Sequence, residues 1–266
     1  MALSIDSYLR SRSYDFYISS TSKEKQKIDT SVNSVILALH NYFRNKIKYI
    51  HTFGSYTRGT IIPRIYDSNS DVDLMIVFDH EICGVLPETY RKWLKDFANL
   101  KYSRSNVVKD FPTVVIDMLH LKLDLVPTII ETHWWNGTQI KIPDYQNSWQ
   151  ETAPNEFNNR LTDVNTQYSY IVKPIIRLLK AWNSSNGYPY SSYFLEQMIV
   201  NMNFSGDNYQ KGFFWAIDHL PTSHLSISSQ NKVNTLRNNK DWVIEYLNRE
   251  DMTKAKQWLH KIIPSW

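Results

Sequence analysis

Two segments decide the fold of this chain: Phe53-Gly54-Ser55-Tyr56-Thr57-Arg58-Gly59-Thr60 and, one loop later, Asp71-Val72-Asp73-Leu74-Met75-Ile76-Val77-Phe78. The first predicts a strand that enters a Gly-Ser turn, and the second predicts a strand that begins with two alternating carboxylates. The apolar run that follows is typical of a strand buried on both faces. Backbone N–H groups beside paired carboxylates suit the binding of a triphosphate and its metal ions.

The paired carboxylates of Asp71 and Asp73 project from one face of the predicted strand, because residues two apart in a strand point the same way. Two bare carboxylates about 4 Å apart would repel by roughly 4 kcal/mol at an effective dielectric of 20. A cation relieves that repulsion, and Mg²⁺ prefers oxygen ligands and substrate phosphates. Both residues are therefore candidate metal ligands, although the pair taken alone is also typical of a solvated strand end.

The Gly-Ser turn is the second candidate feature. Gly54 allows the backbone to approach a phosphate closely, and Ser55 can donate a hydroxyl hydrogen bond. Arg58 can contact phosphate or pair with a nearby Asp. A Gly-Ser pair alone is usually just a turn, but an Asp-x-Asp strand that follows it makes a phosphate site the better interpretation.

A third carboxylate is needed if two metals are to activate a hydroxyl, and Asp124 is the candidate. It lies in a predicted strand whose Leu121, Leu123 and Leu125 share one face, so Asp124 shares the opposite face with Lys122. Asp117, on the neighbouring strand, is the other acid in this region. We interpret it as a residue outside the metal ligands or as a turn residue. We prefer Asp124 for its position on the polar face and for its sequence setting.

The remaining pattern predicts an α+β chain in two parts. In the first part, Thr21 and Glu24 have the spacing of a capping box for a long helix over residues 21–45, and Asn136-Gly137 favours a type I′ hairpin turn. The other elements predicted there are a strand over Lys46–Phe53, a helix over Pro87–Leu100 and strands over Thr113–Leu119 and Leu121–Val126, the last stopped by Pro127.

The second part is predicted to be entirely helical, with a boundary near residue 160. We therefore expect a mixed lobe over residues 1–160 and a helical lobe over residues 161–266. The predicted helices of the second lobe cover Tyr168–Trp182, Ser191–Phe204, Gly212–Leu220, Val233–Leu247 and Met252–Ile263.

Composition narrows the class of protein. The 42% of hydrophobic residues are enough to form a core, and the net charge of +4 is compatible with phosphate-bearing ligands. Cys83 is the only cysteine, which excludes an internal disulfide and a thiolate zinc cluster and fits a reducing compartment. We expect no signal peptide, because Met1–Asp6 lacks a basic region followed by an apolar run. We expect no membrane span, because no apolar run approaches about 18 residues. These features favour a cytoplasmic protein.

The same segments resemble the DNA polymerase β-like nucleotidyltransferase superfamily. Within it, the chain looks most like the bacterial cyclic GMP-AMP synthase-like and oligoadenylate synthase-like enzymes, the CD-NTases. The resemblance covers roughly residues 25–265 and is carried by these segments: Gly54–Thr60, Asp71-Val72-Asp73, Asp124-Leu125-Val126-Pro127, Lys173–Trp182 and Ser191–Glu196.

The resemblance implies a polymerase β-like lobe (a mixed sheet with helices), a C-terminal helical lobe and an active site in the cleft between them. It further implies an enzyme that joins NTPs, ATP or GTP or both, into a cyclic di- or oligonucleotide second messenger for anti-phage signalling. Two Mg²⁺ ions, replaceable by Mn²⁺, would be held by Asp71, Asp73 and Asp124. An activating protein or nucleic acid is a further implied partner, and a membrane is not.

Carried over by position, Lys180 and Ser192 would contact the phosphates and Tyr193 would stack on a nucleobase. The simpler interpretations are a solvated Lys180 and a Tyr193 in the core. Two other functions also stay open. One is nucleotide transfer to RNA 3′ ends or to a protein side chain, and the other is an inactive scaffold that binds nucleotide or RNA.

Overall fold

A computed structural model of the protein describes residues 4–134 and 137–263. The chain forms two compact units. The sheet unit comprises Ile18–Arg58 and Asn69–Asn158, and the helical unit comprises Met1–Tyr17, Gly59–Ser68 and Asn159–Trp266. No helix in the described part of the chain combines the length and the apolar character needed to cross a membrane.

The helices are, in chain order, α1 (Ile5–Asp15), α2 (Lys23–Phe43), α3 (Gly54–Arg58), α4 (His80–Cys83), α5 (Pro87–Lys101), α6 (Pro154–Gln167), α7 (Val172–Ser185), α8 (Ser192–Val200), α9 (Tyr209–His219), α10 (Ile227–Asn248) and α11 (Met252–Ile262). The strands are β1 (Ile47–Phe53), β2 (Asp71–Phe78), β3 (Asn106–Asp110), β4 (Thr113–Asp117), β5 (Lys122–His133), β6 (Gly137–Pro143) and β7 (Trp149–Thr152).

The sheet unit is built on a mixed sheet with the order β1-β2-β5-β4-β3, and β6 and β7 continue from the far part of β5. Among the strands of the described residues, β2 and β5 alone run parallel to each other, and they form the centre of the sheet. The apolar run of β2 is buried on both faces, as the sequence predicts. The α+β prediction and the strands predicted for β1 and β2 are confirmed.

Strand β5 differs from its prediction, because Pro127 does not stop it. The strand continues to His133, and Pro127 lies opposite Ile76 of β2. On the other edge, pairing with β4 ends at Leu125 and pairing with β6 begins at Ile129. The missing N–H of Pro127 therefore falls where β5 changes partners, a place where a strand tolerates proline.

The hairpin of β5 and β6 is present, with His133 opposite Gly137. The predicted turn type depends on Asn136, which lies outside the described residues. Strands β3 and β7 are absent from the prediction, because short strands with half-exposed residues lack a strong alternating pattern.

Helix α2 packs on the sheet unit through one apolar stripe at helical spacing. The cap is Ser22, whose hydroxyl accepts a hydrogen bond from the Lys25 N–H at 3.1 Å. The predicted Thr21–Glu24 capping box is therefore wrong by one residue. The buried stripe consists of Ile28, Val32, Val35, Leu39 and Phe43.

The helical unit surrounds α7, most of whose residues are buried. α7 begins at Val172 rather than at the predicted Tyr168, because Ser169 and Tyr170 have φ of 53° and 65° and break the helix after α6. α6 itself is absent from the prediction. α1 and residues 59–68 belong to the same compact unit as the C-terminal helices, so the compact units differ from a simple division at residue 160.

Candidate active site

The carboxylates of Asp71, Asp73 and Asp124 come from the two central strands of the sheet unit. In the parallel register of β2 and β5, Asp73 lies opposite Asp124 and Asp71 lies opposite Lys122. Residues that face each other across neighbouring strands, and those two apart in one strand, project from the same face. The three carboxylates therefore share one face at the same end of the sheet. Asp117 lies opposite Lys122 on β4, one step farther out.

Asp124 is a buried acid with few hydrogen-bond partners. Its Oδ1 atom is buried and has no hydrogen-bond partner among the described residues. Its Oδ2 atom receives only a long hydrogen bond of 3.5 Å from the Thr113 hydroxyl. Burial, followed by the negative charge of Asp71, raises the pKa of Asp124 to about 7, while Lys122 acts in the opposite direction. A buried, under-partnered carboxylate is costly for a fold and is characteristic of a functional site.

Gly54 lies directly against the Asp73 carboxylate. Its φ of +75° belongs to the left-handed region that favours glycine, and a Cβ at this position would overlap the Asp73 carboxylate. Both the backbone conformation and the close approach therefore require glycine. The first residue of α3 is thereby held against the strand that carries Asp71 and Asp73.

Helix α3 is also fixed to α2 by a polar cluster that the sequence did not predict. The Tyr56 hydroxyl donates to Asp29 Oδ1 at 2.5 Å. The Lys25 ammonium donates to the same carboxylate at 2.6 Å and lies 4.6 Å from the centre of the Tyr56 ring. Burial, followed by the bond to Asp29, raises the pKa of Tyr56 to about 12, so the phenol remains a donor at neutral pH. Sequence spacing alone gives no signal for this contact between distant segments.

Replacing Tyr56 by phenylalanine is expected to lower the melting temperature by about 2–4 °C, since one hydrogen bond to a half-exposed carboxylate contributes about 1 kcal/mol. Tyr49→Phe is the matched control, because Tyr49 is 47% exposed on β1 and should tolerate the change. Thermal unfolding of both variants checks this. Equal melting temperatures would show that the Tyr56–Asp29 bond does not stabilise the unit.

The predicted phosphate ligand Arg58 is 8% exposed. Its guanidinium lies 5.2 Å from the centre of the Phe157 ring, and one of its nitrogens lies 3.4 Å from the Asn158 side-chain oxygen. These are contacts to protein groups, and a phosphate contact by Arg58 stays a prediction.

The candidate residues of the helical unit lie on α7 and α8. Lys180 is neither solvated nor exposed, because its ammonium bonds Glu196 Oε1 at 2.6 Å and both side chains are buried. Tyr193 is not a core residue, since it is 50% exposed in the first turn of α8 beside the half-buried Ser192. The roles of Lys180, Ser192 and Tyr193 toward a nucleotide stay predictions.

The three carboxylates differ from a preformed metal site in arrangement but not in donor chemistry. Within residues 4–134 and 137–263, no three His, Cys, Asp or Glu side chains are arranged so that they could hold a metal ion as they stand. The donor chemistry nevertheless fits. Asp71, Asp73 and Asp124 are hard oxygen donors on one face, and the unpartnered Oδ1 atom of Asp124 lacks the positive partner that a cation would provide.

Comparisons with known proteins agree with this chemistry. Residues 3–165, more than half of the chain, match the family model of the Second Messenger Oligonucleotide or Dinucleotide Synthetase domain, SMODS. The chain is 25% identical over 201 residues to a probable cyclic nucleotide synthase of Bacillus cereus, covering 63% of this chain and 58% of that protein. It is 26% identical over 219 residues to a cyclic AMP-AMP-AMP synthase of an Acinetobacter strain, covering 73% and 60%. The chain thus spans about three fifths of the length of these curated relatives.

Among solved structures, the fold is similar to that of the Bradyrhizobium diazoefficiens CD-NTase CdnG in complex with GTP. The TM-score is 0.67 over 98% of this chain and 99% of that one. At 11% identity the likeness is one of fold, and it confirms the predicted polymerase β-like class. Nucleotidyltransferases of this kind generally depend on divalent metal ions. The sequence match over residues 3–165 and the shared fold lead to one conclusion: the chain belongs to the SMODS family of second messenger synthetase domains and hence to the CD-NTases.

Proposed function

We propose that this chain is a metal-dependent nucleotidyltransferase that joins NTPs into a cyclic di- or oligonucleotide second messenger and releases pyrophosphate. The observation that carries the proposal is Asp124, a buried carboxylate with an unpartnered oxygen in register with Asp73. The match to the SMODS family and the name of the Acinetobacter relative, a cyclic AMP-AMP-AMP synthase, support a ring-shaped product.

The reaction requires a ribose hydroxyl of one nucleotide to attack the α-phosphate of another while pyrophosphate leaves. Divalent cations bound to Asp71, Asp73 and Asp124, two Mg²⁺ with Mn²⁺ as a substitute, would supply charge neutralisation and a more acidic hydroxyl. The part of Gly54 and Ser55 is to bind the triphosphate, through the close backbone approach that glycine allows and through the serine hydroxyl. Most of the rate enhancement then comes from positioning and charge.

The proposed substrates are ATP, GTP or both, in line with the GTP complex of the Bradyrhizobium neighbour. Tyr193, half exposed on α8, is proposed to stack on a nucleobase, and Ser192 beside it to contact phosphate. Base stacking on an aromatic side chain contributes about 1–3 kcal/mol per base and does not discriminate strongly between bases. We further propose that the product acts in antiviral signalling in the cytoplasm and that a protein or nucleic acid activates the enzyme.

The test incubates the protein with labelled NTPs, singly and mixed, with Mg²⁺ or Mn²⁺, and follows phosphatase-resistant products. The wild type is expected to form such a product, and Asp73→Ala is expected to reduce it at least about a thousandfold, because several kcal/mol of charge stabilisation disappear. Asp96→Ala is the matched control, since Asp96 on α5 pairs with Lys92 at 2.9 Å at an exposed site.

Two outcomes would contradict the proposal. Label transferred only to added RNA or to protein would identify the chain as a nucleotidyltransferase of another kind. No product under any NTP mixture, with host extract supplied as a source of activator, together with equal NTP binding by the wild type and Asp73→Ala, would identify an inactive scaffold.

A further inference from the structure

The loop that joins α9 to α10 carries an exposed histidine, His224, beside the first turn of α8. The centre of its ring lies 4.9 Å from that of Phe194, and the two rings stand at 89° to each other. Phe194 is 37% exposed and directly follows Tyr193, which is 50% exposed. The three rings therefore border one exposed aromatic surface of the helical unit.

The backbone of this loop is fixed on both sides of His224. Before it, the hydroxyl of the buried Tyr190 donates to the Pro221 carbonyl oxygen at 2.9 Å. After it, the Leu225 N–H donates to the Thr222 carbonyl oxygen at 3.0 Å and closes a turn that contains His224. The place of the imidazole beside α8 is therefore set by the fold of the helical unit.

The polar atoms of His224 are available to a ligand. Within residues 4–134 and 137–263, neither of its ring nitrogens has a hydrogen-bond or ion-pair partner. A neutral imidazole offers one donor and one acceptor. His219, an exposed histidine at the end of α9, differs, because its Nδ1 atom lies 2.8 Å from the Trp215 carbonyl oxygen. His224 thus combines an apolar contact to Phe194 with two polar atoms that face solvent.

The ligand that matches this surface is planar and carries hydrogen-bonding groups at its edge. Nucleobases are bound in this way, by stacking on aromatic side chains and by hydrogen bonds along their edges. Because the rings of Phe194 and His224 are perpendicular, a ligand that lies parallel to one ring meets the other edge-on. Stacking alone discriminates weakly between bases, so a choice of base requires a polar contact at the edge of the base.

We propose that His224 recognises the edge of the nucleobase that stacks on Tyr193, and that Phe194 holds the imidazole in position. At the same ring position, adenine carries an amino group that donates and guanine carries a carbonyl oxygen that accepts. One imidazole nitrogen in one protonation state can bond only one of these groups. His224 is therefore a specificity-determining residue and Phe194 a positioning residue. The inference rests on the proposed function, because it concerns the base of the same nucleotide.

The test measures, by calorimetry, the binding of nonhydrolysable ATP and GTP analogues to the full chain with Mg²⁺. His224→Ala is expected to change the ratio of the two dissociation constants at least about tenfold, which corresponds to about 1.4 kcal/mol. His224→Gln keeps a donor and an acceptor and should restore the ratio to within about threefold of the wild type. Phe194→Leu should change the ratio in the same direction as His224→Ala, because leucine removes the ring that holds the imidazole.

His219→Ala is the matched control, because His219 is also an exposed histidine of the helical unit and its ring packs on an aromatic ring, that of Trp215, at 3.6 Å. It should leave both dissociation constants within about twofold of the wild type. Melting temperatures measured in parallel verify that each variant is folded.

The outcomes separate this inference from the proposed function. A wild type that binds neither analogue rejects both together. A wild type that binds an analogue, with an unchanged ratio in His224→Ala, overturns the inference alone. Equal weakening of both analogues in His224→Ala would make His224 a contact to phosphate or ribose, and it would also overturn the inference.

Probes without a phosphate make the same distinction by a second method. Adenosine and guanosine contain the base alone with its ribose, whereas inorganic triphosphate contains neither. The imidazole proton resonances of His224, assigned by their loss in His224→Gln, are expected to shift more with one nucleoside than with the other and to stay unchanged with triphosphate. Resonances that shift with triphosphate and with neither nucleoside would overturn the proposal.

Discussion

Replacing Asp124 by asparagine is expected to reduce nucleotidyl transfer at least about a thousandfold. The same change is expected to raise the melting temperature of the metal-free protein when it is measured above pH 7. The loss follows from removing one of the three proposed metal carboxylates, since bound metal supplies several kcal/mol of charge stabilisation. The gain follows from the same carboxylate, which is buried, has an unpartnered Oδ1 atom and is close to the charge of Asp71. Asparagine keeps the shape and removes the charge.

The sign of the pH dependence follows from the raised pKa of Asp124, about 7 in the folded chain. Between about pH 4 and pH 7 the folded chain retains a proton that the unfolded chain releases, so the free energy of unfolding falls as the pH rises through this window. Above pH 7 the loss is complete and amounts to at most about 4 kcal/mol for a shift of this size. Asp124→Asn lacks this loss, and its advantage over wild type should therefore be absent near pH 4 and largest near pH 8.

Thermal unfolding at pH 5 and pH 8 without divalent ions, repeated with Mg²⁺, measures this. Mg²⁺ should stabilise the wild type at pH 8 and stabilise Asp124→Asn less, because a ligand that binds only the folded state raises its stability. Asp117→Asn is the matched control on the neighbouring strand, where it lies opposite Lys122. It should keep activity within a few fold and gain no stability at high pH. An Asp124→Asn variant that stays active would show that this carboxylate is not needed for nucleotidyl transfer. A variant destabilised equally at both pH values would show that the charge of Asp124 does not destabilise the folded chain.

Local patterns were sufficient to predict how the carboxylates are displayed. The alternation of Asp71 with Asp73, and of Asp124 with three leucines, fixes which face each side chain occupies, because the period of a strand is two. The register that sets Asp73 opposite Asp124 depends on pairing between strands far apart in sequence. The family resemblance implied that the three carboxylates act together, and the register itself is seen only in the folded chain.

The sequence could not predict contacts between residues that come together only in the folded chain. Nothing near Lys180 indicates that its partners are Glu196 and Thr60, and nothing near Tyr56 indicates Asp29. The sequence therefore favoured a solvated or a phosphate-binding Lys180 side chain. Pro127 was misread for a related reason, since whether a proline ends a strand depends on which neighbour needs its N–H at that position.

Replacing Gly54 by alanine is expected to have the second largest effect, reducing activity about a hundredfold or more and lowering the melting temperature. An L-residue with a φ of +75° costs about 1–2 kcal/mol, and the added methyl would also overlap the Asp73 carboxylate. The two can separate only if α3 or the head of β2 moves, and both carry groups of the proposed site. A displacement of about 1 Å in such a site can cost about a hundredfold in rate.

Gly206→Ala separates the two causes, because Gly206 has a φ of +76° but no atom within 4 Å of a Cβ at its position. This control carries the backbone cost alone, so it should lower the melting temperature by a few degrees and leave activity within about twofold. The comparison of interest is the KM for NTP and kcat of the two alanine variants, with melting temperatures measured in parallel. If Gly54→Ala matches Gly206→Ala in activity and in melting temperature, contact between the Gly-Ser turn and Asp73 does not shape the site. Loss of activity in Gly54→Ala beyond what its stability explains would place that contact at the centre of the site.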